Sequence, residues 1–504
     1  MGIFINFALD LITHCKLKSN ISASAGAQAR PKLLISLIPV IFLLLALIGI
    51  IAVAGSNAIS DYSPAVLLLS AAVAVTLSVV TRTADRAGMV NGLRRSARQI
   101  LPAVPLLILI ALVSATWLWS GVVPTLIDYG IRVLDPTFFL VTTCAVCAVV
   151  SVLTGSSWTT IATIGVAFIG IGRIMGYSEG WIAGAIISGA YFGDKVSPLS
   201  DTTVIASSSC GVDLFDHIRY LMLTAAPAML LSLAVFLCVG LVSDVQSTAS
   251  DTSEMLTALH GYFNITPYTL IIPAVVIALI ALRVKTLYTL AAGALLGLAG
   301  IFVFQPGILE TISQSGTAAT TLQLLWTDAS LSSGNPVLDD LISSGGVTGM
   351  LPTITLVLCA MLFGGAMLGT GMLRSIAEAI TSRLSHRRSI VGATVSSGLF
   401  LNSCTADQYL SIIIGSNMYR DVYQRYSLPP RLLSRTLEDS VSVTSVLIPW
   451  NSCGVTQSTV LGVATLTYLP FCLFNILSPL MTMLLAWTGF KIPRPMTTAS
   501  VSRA

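Results

Sequence analysis

Long apolar runs separated by short polar segments dominate this chain. Several of the runs reach the roughly 20 residues that an α-helix needs to cross a bilayer. The spans that hydropathy predicts lie at about 33–54, 64–81, 100–120, 137–153, 155–172, 180–192, 217–240, 265–282, 286–304, 353–373, 388–418 and 460–489. We expect a break within the run at 388–418. The pattern predicts an all-α polytopic membrane protein that contains broken or re-entrant helices.

The composition supports this class and argues against others. The 504 residues are 55% hydrophobic and 10% charged, whereas about a quarter of an ordinary soluble domain is charged. The formal charge of +4 is too small to indicate nucleic-acid binding, and no glycine-rich phosphate-binding loop supports ATP-driven transport. Cys144 and Cys147 lack a partner pair at zinc spacing, so the sequence indicates neither a zinc site nor another cofactor.

The positive residues orient the spans, because Lys and Arg concentrate in cytoplasmic loops. Five arginines lie within residues 82–98, whereas residues 243–264 and 305–352 contain acidic residues but no Lys or Arg. We therefore expect both termini in the cytoplasm of a bacterium, with its inner membrane as the bilayer, and the two acidic segments outside. The first half then starts inside and the second half outside, which predicts an inverted-topology repeat around a midplane site. The predicted parts are an N-terminal segment 1–31, a first membrane repeat 32–240, an external linker 241–264, a second membrane repeat 265–489 and a cytoplasmic tail 490–504.

The order of the polar interruptions also suggests a repeat. In the first half, the segment Leu-Thr-Gly-Ser-Ser-Trp-Thr-Thr at 153–160 precedes a second, acidic interruption at 193–203 by about 40 residues. In the second half, Leu-Asn-Ser-Cys-Thr-Ala-Asp-Gln at 401–408 precedes Leu-Glu-Asp-Ser-Val-Ser-Val-Thr-Ser at 437–445 by a similar distance. The string Ser-Cys-Gly-Val follows in both halves, at 209–212 and 452–455.

The interruption at 193–203 reads Gly-Asp-Lys-Val-Ser-Pro-Leu-Ser-Asp-Thr-Thr. Ionisable residues at membrane depth are costly and default to functional hypotheses, and a proline frees backbone carbonyls. Carboxylate, hydroxyl and carbonyl oxygens together suit a hard cation such as sodium. The predicted ion- and substrate-binding residues are Asp194, Lys195, Ser197, Ser200, Asp201, Thr202, Asn402, Thr405, Asp407, Asp439, Ser442 and Asn451. Asp201 and Asp407 are the predicted sodium ligands.

Several roles stay open at this stage. Lys195 is either an internal counter-charge to Asp194 or Asp201, or a lysine that extends to the membrane interface. One of Glu438 and Asp439 is expected in a surface ion pair and the other in the interior, with Asp439 the preferred buried residue. A carboxylate that titrates near neutral pH can hold either a proton or a sodium ion, which is what exchange by competition requires.

At these residues the chain resembles the NhaC-type sodium/proton antiporter family of the ion transporter superfamily. The motifs that carry the resemblance lie at 119–130, 154–160, 188–203, 405–409, 438–440 and 448–454. The resemblance implies proton-coupled sodium export, or exchange of small organic anions such as malate and lactate as in some relatives. It also implies a scaffold and a moving transport domain with re-entrant hairpins, in a homodimer. Val204 and the Ser-Val-Ser at 440–442 depart from the family pattern, and these departures remove a possible amide ligand and a flexible backbone position.

Two other classes compete with a transporter. An intramembrane aspartyl protease also needs buried aspartates, but its Gly-x-Gly-Asp signature is not met by Tyr191, Phe192 and Gly193 before Asp194. A passive channel is the third class, and inverted halves with broken helices favour alternating access over it. The sequence therefore predicts a secondary transporter in the lipid bilayer, with sodium and protons as substrates and small organic anions as the alternative.

Overall fold

The apolar runs fold into helices, because within a bilayer a helix satisfies its own backbone hydrogen bonds. The computed structural model describes residues 31–491 apart from 56–58, 84–85, 244–248, 283, 309–316, 328, 331–338, 340–342 and 382–385. Within these ranges, eight helices are long and apolar enough to cross a membrane, or ten if two bent helix pairs are counted as spans. The only strands described are two of two residues each. The predicted all-α polytopic membrane class is confirmed.

The first half contains eleven described helices, which include two breaks. Its helices are α1 (Leu33–Ala54), α2 (Ile59–Val80), α3 (Arg86–Ile100), α4 (Ala103–Trp119), α5 (Val122–Val133), α6 (Phe139–Thr154), α7 (Ser157–Ile174), α8 (Glu179–Val196), α9 (Asp201–Cys210), α10 (Leu214–Val242) and α11 (Ala249–Tyr262). The predicted segment 1–31 lies almost entirely outside the described residues, as do Asp244 of the predicted external linker and much of the acidic segment 305–352.

The second half repeats this order of elements. Its helices are α12 (Pro267–Ala281), α13 (Thr286–Phe304), α14 (Thr317–Trp326), α15 (Gly346–Gly369), α16 (Met372–Thr381), α17 (Arg387–Thr405), α18 (Gln408–Arg425), α19 (Pro430–Leu437), α20 (Ser452–Leu461) and α21 (Leu473–Thr488). A π-helical turn, Glu438–Ser442, continues α19. The strands β1 (Ala329–Ser330) and β2 (Ser343–Ser344) pair between α14 and α15.

Helices α6 and α7 form an antiparallel helical hairpin, which we call hairpin 1. Gly155 has a left-handed backbone (φ +66°), which ends α6 and reverses the chain. Ser156 then caps α7 by accepting a hydrogen bond from the Thr159 N–H. The ring of Phe139, at the start of α6, packs 6.2 Å from the ring of Phe168, near the end of α7. The prediction that 155–172 is a separate span agrees with α7, because Ser157–Ile174 is long and apolar enough to cross a membrane by itself.

Helices α17 and α18 form the equivalent hairpin 2. Ala406 has a left-handed backbone (φ +52°), and Asp407 caps α18 by accepting from the Leu410 N–H. The hydroxyls of Ser397 and Tyr419 lie 2.8 Å apart, so the two helices run antiparallel. The predicted break within 388–418 is confirmed at the tip of this hairpin.

The two hairpins enter from opposite sides of the molecule. We call face A the side that carries the turn at 175–178 and face B the side that carries the turn at 426–429. Hairpin 1 opens towards face A and hairpin 2 towards face B. After hairpin 1, α8 runs from face A to the centre and α9 continues to face B, where Cys210 contacts Ser416 of α18. After hairpin 2, α19 and α20 follow the reverse course, and Gly462 lies beside Arg173 on face A.

An offset of 251 residues relates the two sets of helices. Adding 251 to Ser151 gives Asn402, and adding it to Ala190 gives Val441. The Ser151 hydroxyl donates to the Ala190 carbonyl (2.5 Å), and the Asn402 amide donates to the Val441 carbonyl (2.6 Å). At the tips, the Thr154 hydroxyl donates to the carbonyl two residues later, as does the hydroxyl of its equivalent, Thr405. The fold is an inverted repeat.

The same offset corrects two details of the predicted repeat. The strings Ser-Cys-Gly-Val at 209–212 and 452–455 are not equivalent, since the first ends α9 and the second begins α20. The acidic residues also do not correspond, because Asp194 is equivalent to Ser445 and Asp439 to Ser188. The order of the breaks along the chain correctly predicted the repeat. The shared four-residue string did not, because its two copies occupy non-equivalent positions.

Close backbone packing holds hairpin 1 against α8, and it predicts a destabilising substitution. A Cβ atom on Gly189 would lie 2.1 Å from the Cys144 carbonyl oxygen, whereas a Cβ atom on Gly392 would meet no atom within 4 Å. We expect Gly189→Ala to lower stability by about 1–3 kcal/mol and Gly392→Ala to change it little. Thermal unfolding of the purified protein in detergent measures both, and equal midpoints for the two variants would contradict this packing.

Candidate functional site

A buried ion pair joins the two repeats at the centre of the molecule. Lys195, in the last turn of α8, donates to the Asp439 carboxylate in the π-helical turn after α19. The side chains are 1% and 0% exposed. A cation is favoured at a helix C-terminus, and the ammonium also lies 5.3 Å from the centre of the Phe474 ring. Lys195 therefore does not extend to the interface, and its partner is Asp439 instead of the predicted Asp194 or Asp201.

Three hydroxyl groups complete the coordination of Asp439. The Ser478 hydroxyl donates to Oδ1 (2.6 Å), and the Thr224 hydroxyl donates to Oδ2 (2.9 Å). The Thr482 hydroxyl also donates to Oδ2. Together with Lys195, four donors from α8, α10 and α21 saturate this carboxylate. The sequence reasoning missed these hydroxyls, because single Ser and Thr residues are common in transmembrane helices.

Asp194 faces the tip of hairpin 1. Its Oδ2 accepts hydrogen bonds from the Ser157 hydroxyl (2.7 Å) and the Ser157 backbone N–H (3.2 Å). A carboxylate is stabilised there, since Ser157 is the first residue of α7 and the N-terminus of a helix carries positive potential. The Ser200 hydroxyl lies beside the same carboxylate. No basic side chain pairs with Asp194 among the salt bridges of the described residues.

Glu438 is fully buried next to Asp439 and has no such partners. Neither carboxylate oxygen makes a hydrogen bond in the described structure. The hydroxyls of Ser442 and Thr202 lie nearby without hydrogen-bonding geometry, and both Lys195 and Asp194 lie within electrostatic range. The expectation that one of Glu438 and Asp439 forms a surface ion pair is wrong, because both are 0% exposed. Glu438 was left out of the predicted site, because the sequence does not indicate that the whole segment 432–446 is buried.

The remaining predicted residues of the first half have separate roles. The Ser197 hydroxyl donates to the Val152 carbonyl (2.8 Å) and ties the break to hairpin 1. Ser200 caps α9, and its hydroxyl lies 3.0 Å from that of Thr202. Asp201 is exposed on the first turn of α9. The structure thus brings Ser200 and Thr202 towards Asp194 and Glu438, and Asp201, although exposed, lies within electrostatic range of Asp194.

The predicted residues of the second half lie at the tip of hairpin 2. Asn402, Thr405, Asp407 and Asn451 are all buried. The Asn451 amide donates to the Asn402 carbonyl (3.2 Å), and the Asp407 carboxylate holds the N-terminus of α18. The role of Asp201 and Asp407 as joint sodium ligands stays a prediction.

The tips of the two hairpins place the same pair of positions in contact. Ser157 donates to Asp194, and the equivalent residues Gln408 and Ser445 also bond, with the Ser445 hydroxyl donating to Gln408 Oε1 (3.3 Å). Only in the first repeat does this contact include a charged side chain, that of Asp194. Carboxylate and hydroxyl oxygens at broken helices can hold a cation that prefers oxygen ligands.

Comparison with known proteins agrees with this architecture. The model of the Na+/H+ antiporter family matches residues 16–220 and 189–490. The Na(+)/H(+) antiporter NhaC of Alkalihalophilus pseudofirmus is 37% identical over 414 residues, which cover 82% of this chain and 86% of the relative. The malate-2H(+)/Na(+)-lactate antiporter of Bacillus subtilis is 33% identical over 77% of this chain and 81% of its own length. The arginine/ornithine antiporter ArcD of Halobacterium salinarum is 33% identical over 80% and 82%, respectively. This chain belongs to the Na+/H+ antiporter family.

Proposed function

We propose that this protein is a sodium/proton antiporter that exchanges cytoplasmic sodium for external protons at Asp194 and Glu438. The observation that carries the proposal is the division of charge at the centre. Lys195 and Asp439 neutralise each other, whereas Asp194 and Glu438 have no cationic partner of their own in the described structure. A buried carboxylate needs a compensating cation, and in this family a sodium ion or a proton can supply it.

The hydroxyls around these carboxylates support sodium as one of the two cations. Ser157 and Ser200 lie beside Asp194, and Thr202 and Ser442 lie beside Glu438. In a shared site, a proton and a sodium ion bind the same carboxylates and exclude each other. Access from one side at a time follows from the inverted repeat, in which each hairpin opens towards a different face.

Exchange of small organic anions is the second candidate function. It is favoured by the backbone N–H groups of the hairpin tips, since helix N-termini bind carboxylates. The Ser157 N–H already donates to a carboxylate, that of Asp194. The name of the relative from Bacillus subtilis includes malate and lactate. Proton release on adding malate or lactate, but not sodium, would move this function to first place.

We also propose that face B is cytoplasmic in a bacterial inner membrane, which puts both termini in the cytoplasm. Exposed arginines on face B include Arg420, Arg425 and Arg431, and positive residues favour the cytoplasmic side. The boundaries of the repeats at 32–240 and 265–489, and the pairing of two copies as a homodimer, are parts of the same proposal.

This orientation predicts which introduced cysteines react from outside. Ser178, in the turn on face A, and Ser427, in the turn on face B, are both exposed. We expect an impermeant maleimide added to intact cells to label Ser178→Cys and not Ser427→Cys. The parent carries a Cys238→Ser substitution, since Cys238 is exposed as well. The reverse labelling pattern would overturn the orientation.

Substitution of the two carboxylates tests the site. Asp194→Asn and Glu438→Gln keep the side-chain shape and remove the charge that binds the cation. We expect each to lower sodium-driven proton flux about 10–100-fold, as loss of a hydrogen bond to a charged group implies. Proteoliposomes with a proton-sensitive dye inside, exposed in turn to sodium, lithium, potassium, malate and lactate, measure the flux.

Asp201→Asn provides the comparison for this experiment. If Asp194 and Glu438 bind sodium, the variant keeps most of its flux, because Asp201 is exposed. If exchange is lost in Asp201→Asn and kept in the other two variants, the sequence-based assignment to Asp201 is correct. In the wild type, competition for one carboxylate also requires the apparent sodium affinity to rise by about tenfold per pH unit below the titration midpoint.

The ion pair predicts a rescue. Lys195→Met leaves the buried Asp439 carboxylate without its cation, at a cost of about 3–5 kcal/mol. We expect this variant to unfold at a lower temperature, and Lys195→Met/Asp439→Asn to recover both stability and sodium-driven flux. A double variant that is stable but inactive would instead assign a transport role to the pair itself.

A further inference from the structure

Arg435 is a buried arginine without a hydrogen bond. Its side chain is 0% exposed, and Nε, Nη1 and Nη2 all lack a partner in the described structure. A guanidinium carries five donors, and an arginine at membrane depth normally pairs with an acid or with backbone carbonyls. Here its nearest support is an aromatic ring, since its Cζ lies 4.5 Å from the centre of the Tyr220 ring.

Glu438 follows Arg435 by three residues along the same helical segment. Positions i and i+3 are neighbours on a helix surface, yet the two charges form no ion pair in this conformation, and the acid is as unsatisfied as the base. Lys195 lies within electrostatic range of Glu438, but it forms no ion pair with it, because it donates to Asp439 and to the Ser478 hydroxyl. Arg435, three residues before Glu438 on the same helical segment, is thus a buried cation that has no acidic partner in the described structure.

We propose that Arg435 is a switchable counter-cation for Glu438. The guanidinium is observed on the Tyr220 ring, and we assign this position to the state in which Glu438 holds a sodium ion or a proton. When Glu438 is empty and ionised, Arg435 moves off the ring and pairs with it. Arg435 then competes with sodium for the carboxylate, so it lowers sodium affinity and helps to release the ion. The inference rests on the proposed role of Glu438 as a cation-binding residue.

Tyr220 supplies the alternative position for the guanidinium. Two arginines stack on its ring, with the Cζ of Arg431 at 4.9 Å and that of Arg435 at 4.5 Å. Its hydroxyl donates to the Lys491 carbonyl (3.1 Å), which fixes the ring near the end of the chain on face B. A cation over an aromatic face is stabilised most when it is shielded from water. Arg435 is shielded in this way, whereas Arg431 is exposed.

Two substitutions should change sodium affinity in opposite directions. Arg435→Gln removes the competitor, so we expect the KM for sodium to fall by about tenfold, within the usual range for coupled sites. Tyr220→Leu removes the stacking partner but no charge at Glu438, so more of the arginine pairs with the carboxylate and the KM should rise. Sodium-dependent proton flux in proteoliposomes measures KM and maximal rate separately.

Arg431→Gln is the matched control, since it removes a positive charge from the same ring without reaching Glu438. Its KM should equal that of the wild type. If Arg435 acts only as a fixed charge, the KM of Tyr220→Leu for sodium stays unchanged. If Arg435 is purely structural, Arg435→Gln lowers the yield or the maximal rate but does not lower the KM for sodium. Either result overturns the proposal.

Arg435→Lys covers the case in which Arg435→Gln does not fold. The shorter lysine retains the charge but not the planar fork, so its KM should lie between those of Arg435→Gln and the wild type. An unchanged KM in both Arg435→Lys and Tyr220→Leu contradicts the inference. The proposed function is tested separately, because it fails if Glu438→Gln exchanges sodium for protons at the normal rate.

Discussion

The arrangement of charge at the centre depends on the buried contact between Lys195 and Asp439. Each residue alone would be an uncompensated charge in a low-dielectric interior, which is strongly destabilising. Each lies in the broken helix of a different repeat, so the contact fixes how the two halves meet. Its hydroxyl donors come from α10 and α21, the two helices that follow the breaks. The ion pair therefore fixes four helices around one point and leaves the neighbouring Asp194 and Glu438 facing elsewhere.

The inverted repeat is symmetric in its backbone and asymmetric in its charge. A fully symmetric molecule would carry a second ion pair at Ser188 and Val446, the equivalents of Asp439 and Lys195. Instead, the Ser188 hydroxyl accepts a hydrogen bond from the Phe474 N–H. The same difference separates the charged contact of Ser157 with Asp194 from the neutral contact of Gln408 with Ser445. Both hairpins thus provide the same framework, but Asp194 lies at the tip of hairpin 1 with Glu438 within electrostatic range, whereas, among the described residues, the tip of hairpin 2 carries Asp407 alone.

The sequence was sufficient to predict the spans, the hairpin tips and the interruption at 193–203, because polar residues inside apolar runs stand out by composition. It was not sufficient to align the two repeats residue by residue, since hydropathy does not record which positions are equivalent. The partner of Lys195 was also out of reach, because Asp439 lies 244 residues away in sequence. Glu438 was passed over for a local reason: every residue of 432–446 is buried, so both neighbouring acids lie in the interior, whereas the nearby Arg431 and Arg435 had suggested a surface ion pair.

The difference between Asp439 and Glu438 explains why only one of these neighbours suits ion exchange. Asp439 accepts from four donors, so an arriving cation would have to displace an ammonium and several hydroxyls at once. Such a carboxylate is stable but holds its ligands too firmly for a cycle of binding and release. Glu438 makes no hydrogen bond in the described structure, and its nearest hydroxyls can turn towards a bound ion. The lasting compensation of Asp439 by Lys195 is what makes this possible, because a free lysine beside Glu438 would occupy the place of the transported cation. One permanently neutralised acid thus keeps its neighbour available for cations that come and go.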